Sequence, residues 1–180
     1  MDKQKILSSK KVFSAKLFDV KEEILLDHNG KKHTFHDVYA QPVASIIPIT
    51  PKREIFLINQ YRYMHEKHIL GIVSGMIEKN ETSLQAAKRE LKEEAGIIAG
   101  QFELLAKIEL ARGTFQQTHF LFLAKDLEIG LQALESDEDI SVVRMPLSEA
   151  VKKVMIGEIY HATSMIAILM LDKLKSERRL

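Results

Sequence analysis

Three glutamates stand within five positions of one another, Glu90, Glu93 and Glu94, in the stretch GMIEKNETSLQAAKRELKEEAGI at residues 75–97. On an α-helix, with about 100° per residue, Glu94 falls about 40° to one side of Glu90 and Glu93 about 60° to the other, so the three carboxylates leave one sector. Like charges at i,i+4 repel by only a few tenths of a kcal/mol when exposed, and Lys88, Arg89 and Lys92 are interspersed. An ordinary solvated face is therefore one reading. The other is a site for a divalent cation. Hard cations such as Mg²⁺ take oxygen ligands and prefer one or two carboxylates with water and substrate phosphate. There they polarise a phosphoryl group and activate water. Bound metal would then supply the charge that the crowding lacks.

Positioning these side chains requires a helix with fixed ends. Thr82 and Gln85 fit a capping box, in which the hydroxyl accepts a backbone N–H and the glutamine reaches back. Gly96 stands where a left-handed C-terminal cap suits glycine. The helix is thus expected over 82–95, with Leu84, Ala87, Leu91 and Ala95 as the apolar stripe that seats it. Around it, residues 16–40 read as a β-hairpin, with Asn29-Gly30 supplying the positive φ angles of its turn. ASIIPIT and EIFLINQYRY read as strands joined at Thr50–Arg53. FELLAKIELA, THFLFLAKDL and the shorter ISVVRMPL read as further strands. Pro146 is placed to open a helix over about 147–156. A last helix covers about 161–176, with Ala167, Met170, Leu171 and Leu174 at core spacing. Strands before, between and after helices predict a mixed α+β sandwich.

Composition bounds the function. The 180 residues are 46% hydrophobic and 28% charged, a globular balance with a real core. The formal net charge of +1 gives no basic excess for nucleic acid, and the basic end Lys173–Arg179 reads as a solvated helix terminus. The chain has no cysteine, which excludes disulfides and thiolate metal sites. The first residues, MDKQKILSSKKVFSAK, lack the apolar core of a signal peptide, and the apolar run Met165–Leu171 is far too short to span a bilayer. The expectation is a cytoplasmic protein with no membrane and no nucleic-acid partner. His33/His36 lie on a predicted strand and point to opposite faces. His65/His68 lack a third ligand nearby, so neither pair predicts a metal.

The spacing Gly75, five residues, Glu81, seven residues, Arg89-Glu90-Leu91, one residue, Glu93-Glu94, one residue, Gly96-Ile97 resembles the Nudix box at every defining position. The resemblance implies an α/β/α sandwich with a mixed sheet, carrying an N-terminal β-hairpin extension. It also implies hydrolysis of a nucleoside diphosphate linked to another moiety. It assigns Mg²⁺ or Mn²⁺ to Glu90, Glu93 and Glu94, with the Ser74 carbonyl as a further candidate ligand. Arg89 would orient the glutamates, Gly75 would let the backbone turn beside the metal, and Glu81 would be structural. A single domain over 1–180 is expected, with the hairpin at about 11–40, the core at about 41–180 and the box at 75–97.

The stretches INQYRY and ESDEDISVVRMPLSEAVKKVMIGEIYHATSMIAILML are similar to the ADP-ribose pyrophosphatase branch, as are the hairpin and AQPVASI. In that branch a loop glutamate before the late strand positions or deprotonates the attacking water. Glu135 and Glu138 are the candidates, with Glu138 preferred as closer to the strand, and a box glutamate such as Glu93 is the alternative. Arg62 would bind a phosphate or the adenine-side sugar, or else pair with an acid. One of Phe13, Phe18 and Tyr39, with Phe18 carried forward, could stack on adenine in a region that forms the branch's homodimer. The chain departs from the branch at Gly71 and Val73, where Glu and Pro are expected. Arg112 replaces a proline, and Gln116 and Gln117 replace an acid. Arg112 either reads an extra phosphate or salt-bridges. The expected function is Mg²⁺-dependent cleavage of an ADP-ribose-like nucleoside diphosphate sugar to a nucleoside monophosphate and a sugar phosphate. The alternatives are another Nudix substrate (a dinucleotide, a nucleoside triphosphate or another nucleotide sugar) and a non-catalytic nucleotide-sensing module.

Overall fold

The computed structural model describes residues 5–110, 113–134, 136 and 138–177. In chain order the first strands are β1 Lys5–Ser14, β2 Phe18–Leu26, β3 Lys32–Ala40, β4 Val43–Pro48, β5 Glu54–Arg62, β6 Lys67–Gly71 and β7 Val73–Met76. Helix α1 Ser83–Ala95 follows, then β8 Ile97–Glu109, β9 Phe115–Gln116, β10 Thr118–Ile129 and β11 Ile140–Pro146. Helices α2 Leu147–Met155 and α3 Ala162–Ser176 complete the fold, and a 3₁₀ turn at Tyr63–His65 joins β5 to β6. The chain divides into two compact units, Met1–Pro42 with Glu109–Thr118, and Val43–Ile108 with His119–Leu180.

The first unit is a sheet in the order β1-β2-β3-β9. β1–β2 and β2–β3 are antiparallel and β3–β9 is parallel. The predicted hairpin is present as β2 and β3, but its turn is built differently from the expectation. Only Gly30 has a positive φ, at 77°, and Asn29 does not. The Asp27 carboxylate instead accepts the amides of Asn29 and Lys31, each at 2.9 Å, so a longer loop is organised by a side chain. Strand β1 has no counterpart in the sequence reading, because all ten of its residues are exposed and no buried face marks it. Glu23, buried in the sheet, accepts hydroxyls from Ser9 on β1 at 3.0 Å and Tyr39 on β3 at 3.1 Å.

The second unit holds a sheet in the order β7-β4-β10-β8 and another in the order β11-β5-β6. β4 runs parallel to β10 and antiparallel to β7, which makes the first of these mixed. Alternation along the strands sends side chains to two cores. Ala44, Ile46, Phe56, Ile58, Val73 and Phe122 pack with Ala86, Ala87, Leu91 and Ala95 of α1. Ile47, Leu57, Leu121, Leu123 and Met145 pack with Leu147, Ala150 and Val154 of α2 and Ala167, Ile168 and Leu171 of α3. The result is helix, sheet, helix, the α+β sandwich that was expected. Met170 and Leu174 are partly buried against the second core. Among the described residues no helix is long and apolar enough to cross a membrane.

Candidate active site on the acidic helix

Helix α1 begins and ends as its sequence dictates. Thr82 is the N-cap in a capping box with Gln85, and Gly96 closes the helix at φ 65°. Gly96 is needed twice over, because a Cβ there would also stand 2.7 Å from the Leu131 carbonyl carbon and 2.8 Å from the Gln132 nitrogen. The seating stripe differs by one residue from the expectation. Ala87, Leu91 and Ala95 are buried, but Leu84 is exposed and Ala86 takes its place. The helix has thereby rotated toward Ala86, which brings Glu90 and Glu94 under cover, 9% and 4% exposed.

Arg89 answers the crowding. Its Nε and Nη2 donate to the two oxygens of Glu81, each at 3.0 Å, and Nη2 also donates to the Met76 carbonyl at 2.9 Å. Its Nη1 donates to Glu90 Oε1 at 2.5 Å and to Glu93 Oε2 at 3.2 Å. This two-sided fork is a geometry that arginine provides and lysine does not. Glu81 holds the Arg89 charge firmly, well above its ordinary value, and Arg89 in turn holds the Glu81 carboxyl below the usual carboxylate range. Gly75 on β7 faces the same group. A Cβ at this position would fall inside the Glu90 carboxylate, so the glycine is required by close approach. Ser74 presents its amide, which donates to Glu94 Oε2 at 3.1 Å.

Burial pushes the Glu94 carboxyl up to about 8, helped by the neighbouring Glu90 and Glu138 charges and opposed by the Ser74 amide and Arg62. Glu90 is raised by burial, against the pull of Arg89 and with added repulsion from Glu93 and Glu138. Glu138 therefore acts on both buried carboxylates, and Arg62, at the end of β5, acts on Glu94. The loop that delivers Glu138 hangs on the end of α1. Ala133 N–H donates to the Glu93 carbonyl at 3.0 Å, and the Gln132 side chain donates to the Glu94 carbonyl at 2.5 Å. Nothing in the sequence marks Gln132 for this task, because its partner is a backbone carbonyl brought close only by folding.

Of the residues singled out from the sequence, Ser74, Gly75, Glu81, Arg89, Glu90, Glu93, Glu94, Gly96, Arg62 and Glu138 all belong to this unit. Glu135 and Arg112 lie outside the described residues. Phe18 belongs to the first unit, its ring 5.9 Å from that of Phe13. Tyr39 in the same unit donates to Glu23 and lies under Lys21. The departure at Gly71 has a structural counterpart, since a Cβ there would meet Ser164 Oγ at 2.9 Å while that hydroxyl accepts the Ile72 amide at 3.1 Å. Val73 is fully buried in the core beneath α1. Gln116 and Gln117 belong to the first unit, where the Gln117 side chain donates to the Gln41 carbonyl at 3.1 Å.

Among the described residues, no three His, Asp or Glu groups stand together at ligand spacing, and Glu90 and Glu93 are turned onto Arg89. The donor set nevertheless suits a hard cation. It offers carboxylate oxygen, two of its members are raised by burial and gain from added positive charge, and the bare backbone of Gly75 lets the Glu90 carboxylate lie close against β7. Arg89 would keep its bidentate Glu81 pair and the Met76 carbonyl if Glu90 and Glu93 turned away.

A capped helix whose glutamates are held by an arginine and a backbone amide, set against a mixed sheet, is the arrangement of a Nudix hydrolase. The NUDIX domain model matches residues 40–163, and the chain belongs to this family. It is 29% identical over 167 residues to the ADP-ribose pyrophosphatase of Bacillus subtilis (strain 168), covering 92% of this chain and 90% of that protein. It is 31% identical over 152 residues to the ADP compounds hydrolase NudE of Escherichia coli (strain K12), covering 82% and 80%. A crystal structure of an ADP compounds hydrolase superposes with a TM-score of 0.86 at 27% identity, covering 100% of this chain and 98% of that one.

Proposed function

We propose that the protein hydrolyses the pyrophosphate of an ADP-ribose-like nucleoside diphosphate sugar with Mg²⁺ or Mn²⁺ at the acidic helix. The observation that carries this reading is the pair of buried carboxylates, Glu90 and Glu94, sheltered beside Gly75 with Glu138 acting on both. Glu90, Glu93 and Glu94 would hold the cation, with the Ser74 carbonyl as a further ligand. When bound, the cation neutralises charge developing on the phosphoryl oxygens and makes water a better nucleophile. The chain's own residues do the rest. Arg89, held charged by Glu81, positions Glu90 and Glu93, and the Ser74 amide positions Glu94. Arg62 binds a phosphate of the substrate. Glu138 accepts the proton of the attacking water, with Glu93 as the alternative base. A new P–O bond forms to the water oxygen, the bridging P–O bond breaks, and its electron pair leaves on the second phosphate. The products are a nucleoside monophosphate and a sugar phosphate.

The substrate class follows the relatives, and Phe18 of the first unit is the candidate for stacking on adenine. The first unit is also the proposed surface for a homodimer. Its strand β1 is exposed throughout and carries Ile6, Leu7, Val12 and Phe13. The test is a panel of ADP-ribose, dinucleotides, nucleoside triphosphates and other nucleotide sugars, incubated with Mg²⁺ and separated by chromatography. ADP-ribose is expected to yield AMP and ribose 5-phosphate fastest. Turnover of only a more phosphorylated compound would overturn the substrate and make Arg112 the first residue to mutate.

A further inference from the structure

Among the described residues, one buried side-chain polar atom lacks a hydrogen-bond partner: Gln60 Oε1, on β5. A buried acceptor without a protein donor is uncommon and marks strain, a bound water, or a partner that arrives with function. Its place decides between these. Phe56, Ile58, Gln60 and Arg62 alternate along one face of β5, and Phe56 and Ile58 pack in the core beneath α1. Gln60 continues that row toward the open end, where Arg62 acts on Glu94. Across the sheet Gln60 pairs with Ile140. The Tyr61 amide donates to the Asp139 carbonyl at 3.0 Å, which carries the register one residue further. Glu138 thus arrives beside the end of β5. Asp139 is also fixed by His68 Nε2, 3.1 Å from its Oδ2.

We propose that Gln60 orients the attacking water together with Glu138. A water molecule carries two O–H bonds. Glu138 accepts the one that is broken, and a second acceptor must hold the other if the oxygen lone pair is to face phosphorus. Continued two residues past Ile140, the β5–β11 register would set Glu138 diagonal to Gln60, a relation in which Cβ atoms lie within about 7–8 Å, in reach of two long side chains. The Gln60 amide is uncharged, so it accepts this hydrogen without adding to the repulsion among Glu90, Glu94 and Glu138. Its terminal torsion is broad, so the oxygen turns toward an incoming donor at little cost. The proton that leaves the water goes to Glu138, and the hydrogen held by Gln60 stays on the new phosphate.

This inference rests on the hydrolase reading above. Its test is the Gln60→Met variant, of similar length without the acceptor, assayed with ADP-ribose and Mg²⁺ beside wild type, Glu138→Gln and the double variant. The expected result for Gln60→Met is a kcat lower by about 10²-fold with KM within about twofold of wild type. Its melting temperature should be equal or higher, because an orphaned acceptor has been removed. The double variant should lose no more than the worse single one, since both residues act on one water. Wild-type kcat in Gln60→Met would overturn the inference while leaving the hydrolase intact. So would a raised KM with kcat retained, which would mean that Gln60 binds a substrate hydroxyl. A parallel fall in melting temperature and activity would make Gln60 a packing residue. An inactive wild type would sink the hydrolase reading and this inference with it.

Discussion

Gly75 and Glu90 form the tightest relation in the site. A methyl group at residue 75 would occupy the volume of the Glu90 carboxylate. Gly75→Ala must therefore displace either β7 or the carboxylate. The expected outcome is loss of at least about 10²-fold in kcat, as small misplacements near the chemistry do. The stability cost is about 1–3 kcal/mol from overpacking, seen as a lower melting temperature. A folded Gly75→Ala variant with full activity would show that Glu90 has no fixed place in the reaction. The sequence made this residue legible because its spacing to the glutamates matches a known box. The physical reason, the direct contact of the Gly75 backbone with the Glu90 carboxylate, is visible only in three dimensions. The same holds for Gln60, whose significance lies in the donor it lacks.

Elements with a buried face or a cap were readable, and those without were not. Helix α1 follows from Thr82, Gln85 and Gly96, and β4, β5 and β10 from their apolar runs. Strand β1 escaped because its ten residues face solvent, and β6 and β7 because they are short and contain Gly71 and Gly75. The polar fastening of α3 was equally hidden. His119 on β10 is buried, with Ser45 Oγ 3.0 Å and Thr163 Oγ1 3.4 Å from its Nδ1. Burial, with the nearby His161, lowers the His119 imidazole to about 4, and burial with Arg62 lowers His161 as well. In the unfolded chain these imidazoles take up protons near 6.5, while in the folded protein they stay neutral. Stability is thus fully present above about pH 6.5 and falls as pH drops toward 4, on the order of 3 kcal/mol for His119. Melting curves between pH 7 and pH 4 should show this slope, and His119→Gln should flatten it. An unchanged slope would place the acid sensitivity elsewhere.

At the scale of the molecule, the chain forms two compact units. One is a sheet whose first strand is exposed throughout, and the other is a sandwich with the acidic helix packed on one of its two cores and α2 and α3 on the other. The sandwich was foreseeable from the alternation of strands and helices. The joining of residues 109–118 to the N-terminal sheet was not, because only the two-residue strand β9 marks it. Metal-dependent catalysis here requires that Arg89 and protonation neutralise the carboxylates only until a cation does so. The most direct measurement is ADP-ribose hydrolysis by wild type and Glu93→Gln as Mg²⁺ is titrated from a chelated start. Wild type should be inactive with chelator and gain activity with saturating Mg²⁺. Glu93→Gln should stay at least about 10²-fold slower at every concentration while melting at the wild-type temperature. Turnover that ignores the chelator, or a Glu93→Gln variant as fast as wild type, would contradict it.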